Sequence, residues 1–210
     1  MTRLVLLRHG RTEWNATGRY QGHEDVPLSD EGRRQAYDVA PAIAAMSPSM
    51  VRTSDLSRAS ETADVVARAC GLEATRDERL RERFVGPFAG LTADQIRARH
   101  PEAAEEFFAG RGPLGTHSDA DVAARVAPAL EEYADLLGRH GTGVVVSHGW
   151  AIRTTVTTLI GAPHRAVRGL DNCGWAELAR DRSGWHLLAW NRVAVAAVDG
   201  GAPARTRAEA

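Results

Sequence analysis

Two stretches of this chain end in a histidine beside a glycine. Arg8-His9-Gly10 follows the apolar run 4–7, and His148-Gly149 follows three valines and Ser147. Continuous apolar runs of this length fit strands buried on both faces, as in a parallel sheet. In an open α/β sheet, ligands bind at the carboxyl ends of strands. If the two strands are parallel neighbours, His9 and His148 meet on one edge although they are far apart in sequence. Arg8 arrives with His9. Arg58 lies at the expected start of a helix, where free N–H groups and the dipole already favour an anion. An arginine there has the wrong sign for the helix alone and the right sign for a bound anion; the alternative is a surface pair with Glu61 or Asp55. Two guanidiniums and two imidazoles around one pocket suit phosphate, because arginine meets phosphate oxygens with paired charge-assisted hydrogen bonds.

The elements that must position these groups are legible as patterns. Ser29 caps a helix whose apolar face is Ala36, Val39, Ala40, Ile43 and Ala44, and Pro41 is expected to kink or interrupt it. Residues 50–53 read as a short strand, followed by a helix to about Cys70 that Gly71 stops. Thr92 and Gln95 form a capping box for a helix over 93–99, and Pro101 opens another to about Phe108. Ser118 caps a long amphipathic helix carrying Val122, Val126, Leu130, Tyr133 and Leu137. A further helix over about 151–160 ends at Gly161. Residues 175–180 and 185–191 alternate apolar and polar residues around the turn 181–184, a hairpin pattern. Together these predict an α/β fold of three layers, α/β/α, with a mostly parallel central sheet and helices on both faces. The polar stretch 16–28 is a long loop, and such loops inside compact domains tend to be functional.

Composition bounds the function classes. The chain has 210 residues, 43% hydrophobic and 25% charged, with a formal net charge of −1. That suits one globular domain, read as 1–198, with an Ala- and Arg-rich tail at 199–210 of disordered composition. Neither global basicity nor an aromatic–basic surface pattern points to nucleic acid, and the apolar runs are too short to span a membrane. Arg8 interrupts the first apolar run, so no signal-peptide core is read and a cytoplasmic location is expected. Cys70 and Cys173 have no metal spacing and read as reduced, partly buried thiols. The histidines form no His-x-x-x-His pair with carboxylates at ligand spacing, so neither a metal nor another cofactor is expected.

Taken in order, Arg8-His9-Gly10-x-Thr12-x-x-Asn15, Gln21-Gly22, Leu28-Ser29-x-x-Gly32, Ser54-x-Leu56-x-Arg58-Ala59-x-x-Thr62-Ala63, Leu80-Arg81-Glu82 and Ser147-His148-Gly149 form a series. The series resembles the motifs of the histidine phosphatase superfamily, the phosphoglycerate-mutase-like fold. The resemblance spans residues 3–195. It implies that His9 is a nucleophile forming a phosphohistidine. His9 must be neutral to attack, and Arg8 and Arg58 disfavour its protonated form. It implies that Arg8, Arg58, His148 and Asn15 hold the phosphoryl oxygens, with Gln21, Gly22 and Gly149 beside them, so that arginines supply the charge neutralisation. Glu82 would protonate the leaving oxygen and then activate water against phospho-His9. A carboxyl facing a phosphate dianion should have a raised pKa, which suits that role. Glu24 and Asp25, in the long loop, are the alternative carboxyls.

Within the family, the Gln21-Gly22 pair, the short chain and the lack of an Arg-Arg pair between 100 and 118 resemble the phosphatase branch. The alternatives are a cofactor-dependent phosphoglycerate mutase and a non-catalytic phospho-ligand-binding module. The sequence departs from the family pattern at four places. His23 stands where tryptophan is frequent, Phe88-Ala89-Gly90 where Trp-Glu-Gly is common, Thr116-His117-Ser118 where Gly-Glu-Ser is common, and Trp150 where a small residue is usual. His23, His117 and Trp150 are therefore the candidate specificity residues of the pocket. Asn172-Cys173-Gly174-Trp175 with Trp190-Asn191 resembles glucosyl-3-phosphoglycerate phosphatases, which points to a phosphorylated sugar or sugar acid; a phosphohydrolase of a cobalamin or secondary pathway fits equally. The expected partner is a small phosphorylated metabolite, with no nucleic acid and no membrane; a homodimer is allowed.

Overall fold

Side chains of the first strand, β1 (Thr2–Arg8), alternate between two apolar clusters. Leu4 and Leu6 enter one apolar cluster, and Val5 and Leu7 enter another. Both faces of the strand are therefore covered, which is why its sequence shows an unbroken apolar run. The computed structural model describes residues 1–194; the expected domain end at 198 and the tail at 199–210 lie outside the described residues. After β1 come α1 (Glu13–Ala16), α2 (Asp30–Ala44), β2 (Met50–Thr53), α3 (Ser57–Ala69), β3 (Ala74–Arg76), α4 (Ala93–Arg99), α5 (Pro101–Phe108), α6 (Asp119–Leu137), β4 (Thr142–Ser147), α7 (Gly149–Leu159), β5 (Trp175–Asp181) and β6 (Gly184–Arg192).

The six strands form one sheet in the order β3-β2-β4-β1-β5-β6. The pairings β3–β2, β2–β4 and β4–β1 are parallel, while β1–β5 and β5–β6 are antiparallel. The hairpin thus completes one edge of a mostly parallel sheet. Helices α6 and α7 cover one face with Val122, Val126, Leu130, Tyr133, Ile152 and Val156. Helices α2 and α3 cover the other with Ala36, Val39, Ile43, Ala63 and Val66. A smaller cluster of Val85, Phe88, Ile96, Ala104 and Phe107 stands apart from both faces and ties α4 and α5 to the segment after Glu82.

Pro41 does not break its helix. α2 continues through it to Ala44. The N–H that proline lacks would have served the Tyr37 carbonyl, and both residues lie on the exposed face, where water takes over that bond. Pro128 is carried inside α6 in the same way, on its exposed side. Cys70 and Cys173 are unbridged, and burial pushes the Cys173 thiol up to about 12. Among the described residues no helix is long and apolar enough to cross a membrane.

Candidate active site

The register of β1 on β4 sets Arg8 opposite Ser147. The next residue of each strand is a histidine, and the two rings stand 5.2 Å apart between centroids, inclined at 62°. The turn after β1 then packs onto the first turn of α2. A Cβ on Gly10 would lie 2.3 Å from the Gly32 carbonyl oxygen, and one on Gly32 would lie 2.0 Å from the Arg11 carbonyl oxygen. Only two glycines permit this approach. Ser29 caps α2 by accepting from Gly32 N (3.1 Å) and donates its hydroxyl to Arg11 O (3.1 Å). On the other side, Thr62 Oγ1 accepts from Gly10 N (3.1 Å) and donates to Arg58 O (2.7 Å), which ties the turn to α3.

His9 is buried, and its Nδ1 lies 2.7 Å from the Gly10 carbonyl oxygen. A carbonyl only accepts, so Nδ1 carries the proton and Nε2 carries the lone pair. Burial, then Arg58, then Arg8 hold the His9 imidazole well below its usual value. His148 is fully buried, neither ring nitrogen has a hydrogen-bond partner, and burial with Arg58 also holds it well below its usual value. Arg58 is also fully buried. Its Nη1 donates to Glu24 O and its Nη2 to Gly22 O, each at 2.8 Å, and burial brings it down to about 10. It does not pair with Glu61 or Asp55, which are taken by Arg33 and Arg81. Arg8 donates Nη1 to Leu170 O and leaves Nε unpartnered; that Nε would lie 3.3 Å from a Cβ on Gly149, so glycine is the residue that fits beside it. Asn15 spends Oδ1 on Thr12 N (3.1 Å) and on Asn172 Nδ2 (3.2 Å), which leaves its own amide hydrogens as donors. Gln21 likewise accepts from Thr12 Oγ1 at 3.1 Å and keeps its NH₂.

Glu82 reaches the first turn of α7. One carboxylate oxygen accepts from Arg83 N (2.8 Å) and Ala151 N (2.9 Å), the other from Trp150 N (3.1 Å). This uses helix N–H groups that have no partner within the helix. Glu82, Arg8, His9, Asn15, Gln21, Gly22, Arg58, Gly149 and Trp150 all line one cavity of about 410 Å³, with Arg19, Tyr20, Arg83 and Arg153. The two alternative carboxyls are not in its wall, and Asp25 instead accepts from Ser57 N (2.7 Å) at the start of α3.

Two of the three candidate specificity residues are displaced. His23 and His117 do not line the cavity; their rings lie 5.7 Å apart behind Glu82, packed with Phe84. The loop carrying His23 turns at Gly22, where φ is +54° and an added Cβ would lie 2.6 Å from Val85 Cγ2, and the His23 ring bonds the Glu82 carbonyl instead of lining the cavity. Trp150 does form wall, its Nε1 held by Asp119 Oδ1 at 2.6 Å. His148 is enclosed behind His9 rather than in the wall itself.

The sequence reading left Arg83, Arg153 and Asn172 without roles. Arg83 is fully buried, with its guanidinium 4.2 Å from the Phe107 ring centroid and 4.5 Å from that of Trp150. Arg153 stacks on the same Trp150 at 4.8 Å. Asn172 donates to His9 O (3.1 Å) as well as to Asn15. Arg83 next to Glu82, and Arg153 three residues after Trp150 in the expected helix, were the available signals for the first two; nothing local marked Asn172. Among the described residues no group of three or more His, Cys, Asp or Glu side chains is placed to hold a metal ion.

Comparison with known proteins agrees with this geometry. Residues 4–193 match the Histidine phosphatase superfamily (branch 1). The probable phosphoglycerate mutase GpmB of Serratia proteamaculans is 34% identical over 196 residues, covering 90% of each chain. The glucosyl-3-phosphoglycerate phosphatase of Mycolicibacterium vanbaalenii is 35% identical over 219 residues, covering 94% of this chain and 97% of its own. The structure of a mycobacterial glucosyl-3-phosphoglycerate phosphatase in complex with VO3 superposes with a TM-score of 0.82 at 36% identity, covering 90% of this chain and 98% of that one.

Proposed function

This chain belongs to branch 1 of the histidine phosphatase superfamily, and from that premise we propose that it is a phosphatase of small phosphomonoesters working through a phosphohistidine on His9, with no metal. The observation that carries this reading is the His9 imidazole, neutral and with Nε2 as its free lone pair, beside two buried guanidiniums. The Nε2 lone pair attacks phosphorus, and the P–O bond to the alcohol breaks with its electron pair on oxygen. Glu82 gives that oxygen a proton, which releases the alcohol. A water then attacks the phosphoryl group and passes a proton back to the Glu82 carboxylate, while the P–N bond breaks and its pair returns to Nε2. Arg8, Arg58, Asn15, Gln21 and the main chain at Gly22 and Gly149 surround the transferring group, with His148 packed behind His9, and fixed positive charge and donors there stabilise the transition state.

The substrate reading is a phosphorylated sugar or sugar acid such as glucosyl-3-phosphoglycerate. Five arginines (8, 19, 58, 83 and 153) and one carboxylate line the cavity. A phosphomonoester brings a charge of about −2 and leaves cationic surplus for a second acidic group. The mycobacterial phosphatase relatives support the same class. The names of other relatives favour a second reading, a phosphoglycerate mutase, in which phospho-His9 is kept from water and returned to an acceptor.

The deciding experiment is phosphate release from a chromogenic phosphomonoester in chelator. The native protein should be active and should trap an acid-labile phosphoprotein, and His9→Ala should lose activity by about 10³-fold or more. Loss of activity in chelator, or retention in His9→Ala, overturns the reading. Conversion of 3-phosphoglycerate only with a bisphosphate primer would select the mutase.

A further inference from the structure

We propose that His23 is a positioning residue for the proton donor, holding the main chain of Glu82 and thereby setting where its carboxyl stands against the leaving oxygen. The proposal rests on the phosphohistidine reading above. His23 is absent from the cavity wall, so it does not read the substrate directly. Its Nε2 lies 2.8 Å from the Glu82 carbonyl oxygen. A carbonyl accepts only, so Nε2 carries hydrogen whether the ring is neutral or charged. From α6, Arg125 Nη2 donates to the same oxygen at 3.1 Å. The ring is fixed edge-on to Phe84 at 5.3 Å and to His117 at 5.7 Å.

The placement of His23 in the chain gives this bond its reach. Its neighbours Gly22 and Glu24 both offer their carbonyls to Arg58. Three consecutive residues therefore hold the phosphate-side guanidinium and the main chain of the acid. The Glu82 carboxylate folds back onto the N–H of Arg83 and is tied to α7 by Trp150 N and Ala151 N, so a displacement of the local main chain changes how the carboxyl is set between these donors. Misplacing a catalytic group by about 1 Å can cost up to about 10²-fold in rate.

Two substitutions separate donation from packing. His23→Phe keeps a ring against Phe84 and His117 but has no donor; His23→Gln keeps an N–H at similar reach and loses the ring. For each, kcat/KM is measured for an alkyl phosphate (glycerol 2-phosphate), whose leaving oxygen needs a proton, and for 4-nitrophenyl phosphate, whose leaving group does not. In His23→Phe the alkyl-to-nitrophenyl ratio should fall about tenfold, and in His23→Gln it should return to within about threefold of native. In a Glu82→Gln background, His23→Phe should leave the ratio where Glu82→Gln alone puts it, because the bond acts through that carboxyl. An equal fall for both esters, an unchanged ratio, or a loss in His23→Gln matching that in His23→Phe would each overturn the proposal. Failure of the underlying reading looks different: the native protein then releases no phosphate that depends on His9.

Discussion

His9 and His148 are kept neutral mainly by burial, with the neighbouring arginines adding to it. For His9 the sequence reading placed that effect on the arginines alone; enclosure beyond the carboxyl edge of the sheet is a tertiary fact. It has a consequence for stability. Both imidazoles bind protons more weakly folded than unfolded, where the value is about 6.5. Their contribution is therefore intact above about pH 6.5 and is lost as pH falls through the depressed folded values, with a slope of about 1.4 kcal/mol per pH unit for each group. Urea midpoints measured from pH 7.5 to 5 should fall with acidification, and less steeply in His148→Gln. Identical slopes in the two proteins would show that His148 is not held neutral.

At the scale of elements, the site depends on how closely the turn after β1 meets α2. The Arg-His-Gly and Leu-Ser-x-x-Gly motifs, separate in sequence, are two halves of one contact in which Gly10 and Gly32 face each other. Gly32→Ala puts a Cβ against the main chain of Arg11, and such overpacking costs about 1–3 kcal/mol. It should also lower kcat/KM, because the displaced turn carries His9. Gly169→Ala, where an added Cβ has nothing within 4 Å, should leave the thermal midpoint nearly unchanged. Equal midpoints for the two variants would refute the close-contact account. Pro41 carries the complementary lesson. A helix tolerates proline where its lost bond faces water, and exposure is not written in the local sequence.

The whole chain carries a formal charge of −1, yet its cavity is lined by five arginines and one carboxylate. A concave, low-dielectric site concentrates that field on whatever enters. Phosphorylated acids should thus be preferred over esters of neutral alcohols. We expect kcat/KM for 3-phosphoglycerate to exceed that for glycerol 3-phosphate by about tenfold, a preference that weakens in Arg153→Gln and at high salt, since charges about 10 Å apart are screened at 0.1 M. A ratio near one in the native protein would remove the argument for a second acidic group.

The sequence by itself determined the layers and singled out the candidate reacting groups. Buried strands, capped helices and glycine stops are local signals. Arg8, His9, Arg58, Glu82 and His148 stand in motifs whose residue types point to the phosphate chemistry proposed above. Tertiary structure alone decided which side chains share the cavity. It moved His23 and His117 behind Glu82, brought Arg83 and Arg153 onto Trp150, and gave Asn172 the carbonyl of His9 to hold. The physical reason is that side-chain direction at a loop or strand end depends on the φ of one residue and on packing from distant elements. At Gly22 that angle is +54°, a value glycine permits without dictating.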